Sequence, residues 1–235
     1  MDLQISRPPV SVREQVENKL RRAIAGGMFK PGQRLVEREL CDLIGVGRTS
    51  IREALRQIEA EGLVTIYPNR GPVVSTLTSK DAHHLYGVRA ILEGYAGRMF
   101  ATQRTETDLA ALDSAYAKLE QAAREGDRAA LVASKDEFYG TVLEGCGNPY
   151  VKQMLTIIHN RVNLLRATSM TQPGRLETSL QEIRRIVSAV RAKDAVEAEA
   201  ACVAHIDAAA KVALKVLETN ERSAAPDESA RAASV

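Results

Sequence analysis

The sequence predicts a mainly α-helical chain in two parts: a small N-terminal domain of short helices with one β-hairpin, then an all-helical remainder of about six helices. Three observations predict it. Of the 235 residues, 45% are apolar and 26% charged, the balance of a globular chain. Aromatic residues make up only 4%, with no Trp, which favours helices packed through small and aliphatic side chains over a sheet-rich core. Apolar residues recur at helical spacing almost throughout, and the one β-rich stretch is confined to residues 63–75.

The first element follows Pro8 and Pro9, where Val12, Val16, Leu20 and Ile24 recur every fourth residue until Gly26-Gly27 closes the run. Pro31-Gly32 is turn chemistry and leads into a short extended piece ending at Leu35. A second helix is expected from about Glu37 to Ile44, burying Leu40 and Leu43. Gly45-Val46-Gly47 breaks it, and a third runs from about Thr49 to Glu61 with Ile51, Ala54, Leu55 and Ile58 on one face. Two short helices about a glycine turn make a helix-turn-helix. Leu63 to Tyr67 and Pro72 to Ser75 are β-rich and flank the turn cluster Pro68-Asn69-Arg70-Gly71, so a hairpin wing follows, with Pro72 suited to an edge strand.

Leu77-Thr78-Ser79 is the seam, with Ser79 or Thr78 able to cap a helix starting near Asp81. Beyond it, breaks near 102–105, 126–127, 145–149, 171–174 and 193–194 mark off about six helices. The expected domains are 8–76, 77–219 and a disordered Ala- and Ser-rich tail, 220–235.

Cys41, Cys146 and Cys202 are odd in number and widely spaced, and no apolar signal segment leads the chain, so a disulfide framework and secretion are not expected and the cytoplasm is. No stretch approaches the roughly 18 apolar residues of a membrane span. The net charge of +2 is uneven: residues 1–75 hold 12 Lys and Arg against 9 Asp and Glu, leaving 20 against 21 in the rest. That asymmetry alone proves no nucleic-acid binding, so the placement of the charges must carry the argument.

Arg48, Arg52 and Arg56 fall at i, i+4 and i+8, one ridge opposite the apolar stripe of the third helix, with Thr49 and Ser50 at its start. An arginine fork can bond O6 and N7 of a guanine together, while hydroxyls and backbone N–H groups at a helix start suit phosphate. Arg38 and the wing-tip Arg70 extend the surface. The bland reading is a solvated face pairing with Glu53 and Glu59; the unbroken order of helix, glycine turn, arginine helix and hairpin favours DNA.

The runs Pro31-Gly32-Gln33-Arg34-Leu35, Glu37-Arg38-Glu39-Leu40, Ile44-Gly45-Val46-Gly47-Arg48-Thr49-Ser50-Ile51-Arg52-Glu53-Ala54-Leu55 and Glu61-Gly62-Leu63-Val64 resemble the winged helix-turn-helix of the GntR superfamily. The resemblance puts Arg38, Arg48, Thr49, Ser50, Arg52, Arg70 and Gly71 at DNA-contact positions. Gly47 departs from the Ser or Thr often found there. Glycine still serves as an N-cap at a cost of a few tenths of a kcal/mol, so a weakened phosphate contact on an intact helix is expected.

Residues 79–218 resemble the effector domain of the FadR subfamily through Leu85-Tyr86-Gly87-Val88-Arg89-Ala90-Ile91-Leu92-Glu93, Phe138, Gly147-Asn148-Pro149 and the helix pair from Ser179 to Ile206. The resemblance implies an antiparallel all-α bundle around a pocket, in many relatives with a divalent metal held by one Asp and three His. Here Lys135 stands at the Asp position, Tyr139 and Ile183 stand at two His positions, and only His205 keeps its identity. An ammonium has no lone pair for a metal and isoleucine no donor atom, so no metal or other cofactor is expected. Arg89, Lys135, Tyr139, Ile183 and His205 are the expected effector-binding residues, with the Lys135 charge standing in for the metal. The bland reading turns Lys135 to solvent around an apolar pocket.

The expected function is that of a ligand-responsive, sequence-specific transcription regulator, a homodimer on an inverted-repeat operator of double-stranded DNA, and by resemblance more often a repressor. The alternative is a DNA-binding dimer whose helical domain binds no effector. An enzyme is disfavoured for want of a nucleophile–base pair, a phosphate loop or a metal cluster.

Overall fold

The structure, a computed structural model, describes residues 11–169 and 174–224. The chain divides into two compact units, one ending at Thr76 and the other beginning at Leu77. Among the described residues there are nine helices and one two-stranded sheet.

In the first unit α1 (Val12–Ala25) starts at Ser11, whose side chain accepts from the Glu14 N–H, and buries Val16, Leu20 and Ile24. α2 (Glu37–Ile44) stops at Gly45, which takes the left-handed conformation (φ 78°) that ends helices without a Cβ penalty. α3 (Arg48–Ala60) buries Ile51, Ala54, Leu55 and Ile58, and both α1 and α2 rest on it. β1 (Val64–Tyr67) and β2 (Gly71–Val74) are antiparallel, with Val64 opposite Val74 and Tyr67 opposite Gly71. On the other side of β2, Gly32 N–H donates to Val74 O, Val74 N–H to Gln33 O and Leu35 N–H to Pro72 O. The extended piece after Pro31-Gly32 thus joins the wing, and Pro72, with no N–H to give, takes part as an acceptor.

Leu43 departs from expectation. Leu40 is buried, but Leu43 is 62% exposed. α2 has only two turns, and of its apolar stripe Leu40 is buried and Ile44 half-buried, while Leu43 stays outside.

The second unit comprises α4 (Ser79–Gln103), α5 (Glu106–Glu125), α6 (Arg128–Gly145), α7 (Pro149–Ser169), α8 (Arg175–Arg191) and α9 (Ala195–Ala224). Thr78, not Ser79, caps α4 in a reciprocal box with Asp81, and Thr105 with Asp108 does the same for α5. Phe100, Leu112, Leu119, Phe138, Leu155, Ile183 and Val190 form the centre of the core. α4 lies closely along α9: a Cβ on Gly97 would come 2.5 Å from Cys202 Sγ, and one on Gly94 2.8 Å from Val203 Cγ2.

The expected disordered tail from Asn220 is corrected over its first residues. α9 continues to Ala224 because Glu221 is engaged: its carboxylate accepts from both the Ser79 N–H (2.7 Å) and the Ser79 hydroxyl (2.8 Å) at the start of α4. Residues 225–235 of that expectation lie outside the described residues.

Candidate DNA-reading face and buried polar cluster

Because the apolar stripe of α3 is committed to α1, α2 and β1, its opposite ridge is left outside, and Arg48, Arg52, Arg56 and Thr49 are exposed, with Ser50 half-buried. Neither Glu53 nor Glu59 holds the ridge. Arg52 instead reaches Glu37 at the start of α2, its Nε 2.8 Å from Oε2, and Glu59 accepts the Ile66 N–H at 2.8 Å. Gly47 offers no side-chain cap, and the first turn of α3 contains no acidic residue. This helix start therefore keeps unsatisfied N–H groups and the positive end of its dipole toward solvent, whereas the starts of α4 and α5 are closed by Asp81 and Asp108.

Around that start, Arg34, Arg38 and Arg48 line a cleft of about 310 Å³ with Glu37, Gly71 and Pro72. The wing turn is tight, with Asn69 at φ 64° and Gly71 at φ 80°, and it lifts an exposed Arg70, whose guanidinium stands 5.9 Å from the centre of the Tyr67 ring. Arg38, Arg48, Thr49 and Arg52 are thus grouped about the two helix starts, and Arg70 with Gly71 stands at the tip of the wing.

The second unit holds a buried polar cluster. Arg89 on α4 is 2% exposed; its Nε donates to Glu93 Oε1 one turn on (2.5 Å), and its guanidinium stacks over the rings of Tyr86 (5.6 Å) and Tyr139 (5.2 Å). Glu93 Oε1 also bonds His159 Nε2 of α7 at 2.7 Å. Burial pushes the Glu93 carboxyl up, but the Arg89 charge and the His159 hydrogen bond overcome it and hold the group at about 2. Burial works against the Arg89 charge as well, and Glu93 outweighs it, so the guanidinium is held charged.

Beside this pair, Lys135 is buried, contrary to the solvent-facing reading, and its Nζ donates to Ser179 Oγ at 3.1 Å. Tyr139 OH lies 2.7 Å from His205 Nε2, and His205 Nδ1 lies 2.6 Å from Glu182 Oε2. Glu182 in turn takes both terminal nitrogens of Arg175, each at 2.9 Å. Burial lowers the His205 value against the pull of Glu182, which favours the neutral ring. Ile183 is fully buried in the apolar core. Arg89, Tyr139 and His205 come together with Lys135 near them; Ile183 contributes only apolar surface. Among the described residues, three buried side-chain polar atoms of this unit have no hydrogen bond, Arg89 Nη2, Arg161 Nε and Asn163 Oδ1.

Sequence reasoning missed Glu93, His159, Ser179 and Glu182 as members of the cluster. The i, i+4 spacing of Arg89 and Glu93 was a usable signal; the others depend on which helices face each other. Among the described residues no group of three or more His, Cys, Asp or Glu could hold a metal ion. Elsewhere Val88, Ile91 and Tyr95 of α4 and Tyr150, Met154 and Ile157 of α7 are exposed, and Asn148 joins the helices by reaching Tyr95 OH at 3.5 Å. Arg161 falls one turn beyond Ile157 on that stripe. No helix is long and apolar enough to cross a membrane among the described residues.

Residues 12–74 match the bacterial regulatory proteins of the gntR family, and residues 84–208 match the FCD domain. The HTH-type transcriptional regulator YdhC of Bacillus subtilis (strain 168), itself uncharacterized, is 30% identical over 194 residues, 82% of this chain and 87% of that one. The HTH-type transcriptional regulator McbR of Escherichia coli (strain K12) is 26% identical over 187 residues, 79% of this chain and 85% of that one. The solved structure of E. coli McbR/YncC has a TM-score of 0.79 at 24% identity, covering 91% of this chain and all 100% of that chain, and so shares the fold. With one match falling on each compact unit and a relative aligned over most of its length, the chain belongs to the gntR family of bacterial transcriptional regulators, as a FadR-type member carrying an FCD domain.

Proposed function

We propose that this regulator binds a two-fold symmetric operator through α3 and the wing, and that a small acidic or polar metabolite bound in the buried cluster releases it, making it a repressor. The observation that carries the DNA reading is the start of α3, with no side-chain cap and no acid and flanked by exposed Arg38, Arg48 and Arg52. Arg48, Arg52 and Arg56 read base edges, Thr49, Ser50 and the helix N–H groups hold phosphate, and Arg70 at the Gly71 turn reaches the backbone or minor groove.

The exposed apolar stripe of α4 and α7 supports a homodimer, because one self-complementary face on each copy closes a two-fold pair. Two heads then read half-sites about one helical turn apart. Selection of bound duplexes from a random pool tests this directly: an inverted repeat is expected, with retention abolished by Arg48→Glu and Arg52→Glu. A short unsymmetrical site, or full retention by the charge-reversed proteins, overturns the reading.

For the effector, Arg89, Lys135, Tyr139, His205 and the apolar wall at Ile183 supply a positive, partly aromatic lining. The donor set does not suit a divalent ion: Lys135 and Ile183 offer no lone pair, and both His205 nitrogens already have protein partners. On this reading the cluster works without a metal, Lys135 providing the charge, and no catalytic step belongs to it. The place of action is the cytoplasm. A bundle that served only to dimerise would have no use for a buried arginine with an open N–H.

A further inference from the structure

The piece of chain between α1 and α2 is pinned in place. Pro31-Gly32 turns it, with Gly32 at φ 79°. Main-chain bonds then tie it to β2 on both sides of Arg34: Val74 N–H donates to Gln33 O at 2.9 Å and Leu35 N–H donates to Pro72 O at 2.8 Å, which sets Arg34 opposite Val73. Leu35, 2% exposed, seats the piece in the core. Arg34 itself is exposed, so its side chain leaves a backbone that the sheet holds still.

Two more arginines meet it. Arg34 lines the cleft of about 310 Å³ together with Arg38 of α2 and Arg48 of α3, and the wing contributes Gly71 and Pro72. Glu37 is the one acid there, and it is already spent, both of its carboxylate oxygens accepting from Arg52 Nε at 2.8 and 3.0 Å. Among the described residues none of Arg34, Arg38 and Arg48 forms a salt bridge. Three guanidiniums around one cleft repel one another, and an anion between them turns that repulsion into charge-assisted hydrogen bonds.

The place of the cleft selects the anion. On the DNA reading above, on which this inference rests, α3 enters the major groove and the wing reaches toward the neighbouring minor groove. A sugar–phosphate strand separates those two grooves on any duplex, so it passes between α3 and the wing. The cleft is bounded by Arg48 on the α3 side and by Gly71-Pro72 on the wing side. We infer that it holds one phosphate of that strand, and that Arg34, which stands outside both the helix-turn-helix and the wing hairpin, is a further DNA-contact residue. Arg48 has donors enough to share between this phosphate and the groove. A phosphate contact fixes register and adds affinity without reading sequence, so Arg34 strengthens binding to every duplex alike, unlike the ridge of α3.

The test is a salt titration of binding by anisotropy, on the selected operator and on a scrambled duplex of equal length. Arg34→Ala is expected to bind both about fivefold more weakly per bound head at about 0.15 M salt, and to flatten the slope of log K against log salt by about 0.9 per head. The preference for the operator stays as it was. Arg34→Gln gives the same result should the alanine protein fail to fold, and Arg34→Lys restores the slope, because a point charge still displaces counterions. Replacing operator phosphates one at a time with uncharged methylphosphonate locates the contact: at one position in each half-site the change weakens the wild type and leaves Arg34→Ala unaffected. Unaltered affinity and slope in both neutral variants, a loss confined to the operator, or no phosphate that distinguishes the two proteins overturns the assignment of Arg34 and leaves the α3 reading standing. A wild-type protein that holds no duplex, or an Arg48→Glu protein that holds the operator fully, overturns the DNA reading and this inference with it.

Discussion

Arg52 on α3 and Arg89 on α4 each direct Nε at a glutamate, 2.8 Å from Glu37 and 2.5 Å from Glu93, yet the first pair of side chains is 59% and 30% exposed and the second 3% and 7%. The exposed pair gains little, because water and salt screen it and two long side chains must be held still. Arg52 can exchange Glu37 for a phosphate or a guanine at small cost. The buried pair is another matter, since removing either partner leaves a naked charge in a medium that cannot solvate it. The same two residue types thus make a removable latch on one unit and a fixed post in the other. A DNA-reading arginine has to be the former, and a ligand-orienting arginine the latter.

The largest effect is expected at the fixed post. Glu93→Ala should destabilise the second unit by about 3–5 kcal/mol, read as a shift in denaturant midpoint, and pairing it with Arg89→Met should recover much of the loss. A double mutant no better than the single would show that the pair does not act as a charge unit. The acid limb of stability reports the same interaction. Glu93 is held at about 2 against an ordinary 4.5, so the unfolded chain takes up this proton first. The contribution is complete above about pH 4.5 and is lost as pH falls toward 2, and His205, whose value is also lowered, adds a loss that begins below 6.5. Unfolding midpoints across pH 7 to 3 should decline, and a profile flat over that range would contradict the assignment.

Next in size are Arg48→Ala and Arg52→Ala, each expected to weaken operator binding by about 1–3 kcal/mol while altering stability by no more than about 0.5 kcal/mol. Anisotropy titration and chemical denaturation of the same samples separate the two; a variant that loses both would place its arginine in the fold. Smaller still, Glu37→Gln frees Arg52 and removes a negative charge beside the helix start, so operator affinity should rise by about 0.2–1 kcal/mol. Reduced affinity would mean that Glu37 positions Arg52 for DNA. The smallest effect belongs to Gly47→Ser, which restores an N-cap hydroxyl and should add a few tenths of a kcal/mol to stability.

The fold of the first unit was legible almost element by element because its signals are local: glycines at 45 and 47, a turn cluster at 68–71 and an arginine ridge opposite an apolar stripe are all properties of adjacent positions. Leu43 was misplaced because a periodicity argument assumes that a stripe is covered along its whole width, and a two-turn helix on one neighbour is not. The polar cluster was legible only in part. Arg89, Tyr139 and His205 could be named from resemblance, but Glu182, Ser179 and His159 enter through helices facing one another across 23, 44 and 66 residues of chain, and no local spacing encodes that. The tail misled for a related reason, since an Ala- and Ser-rich sequence reads as structureless until Glu221 is seen holding a serine 142 residues away.

The missing side chains at Gly94 and Gly97 bear on how any signal would travel. With Cys202, Val203 and Ala198 filling the room those residues vacate, α4 and α9 interlock like teeth, and neither can slide along the other by a fraction of a turn without collision. A push delivered to Arg89 or His205 is then felt by both rods at once, and the Glu221 tie makes them answer together at the end where α4 begins. Lengthening either glycine by one methyl would jam that gear, and a protein so altered would register its ligand at the far end poorly even with every contact around the ligand intact.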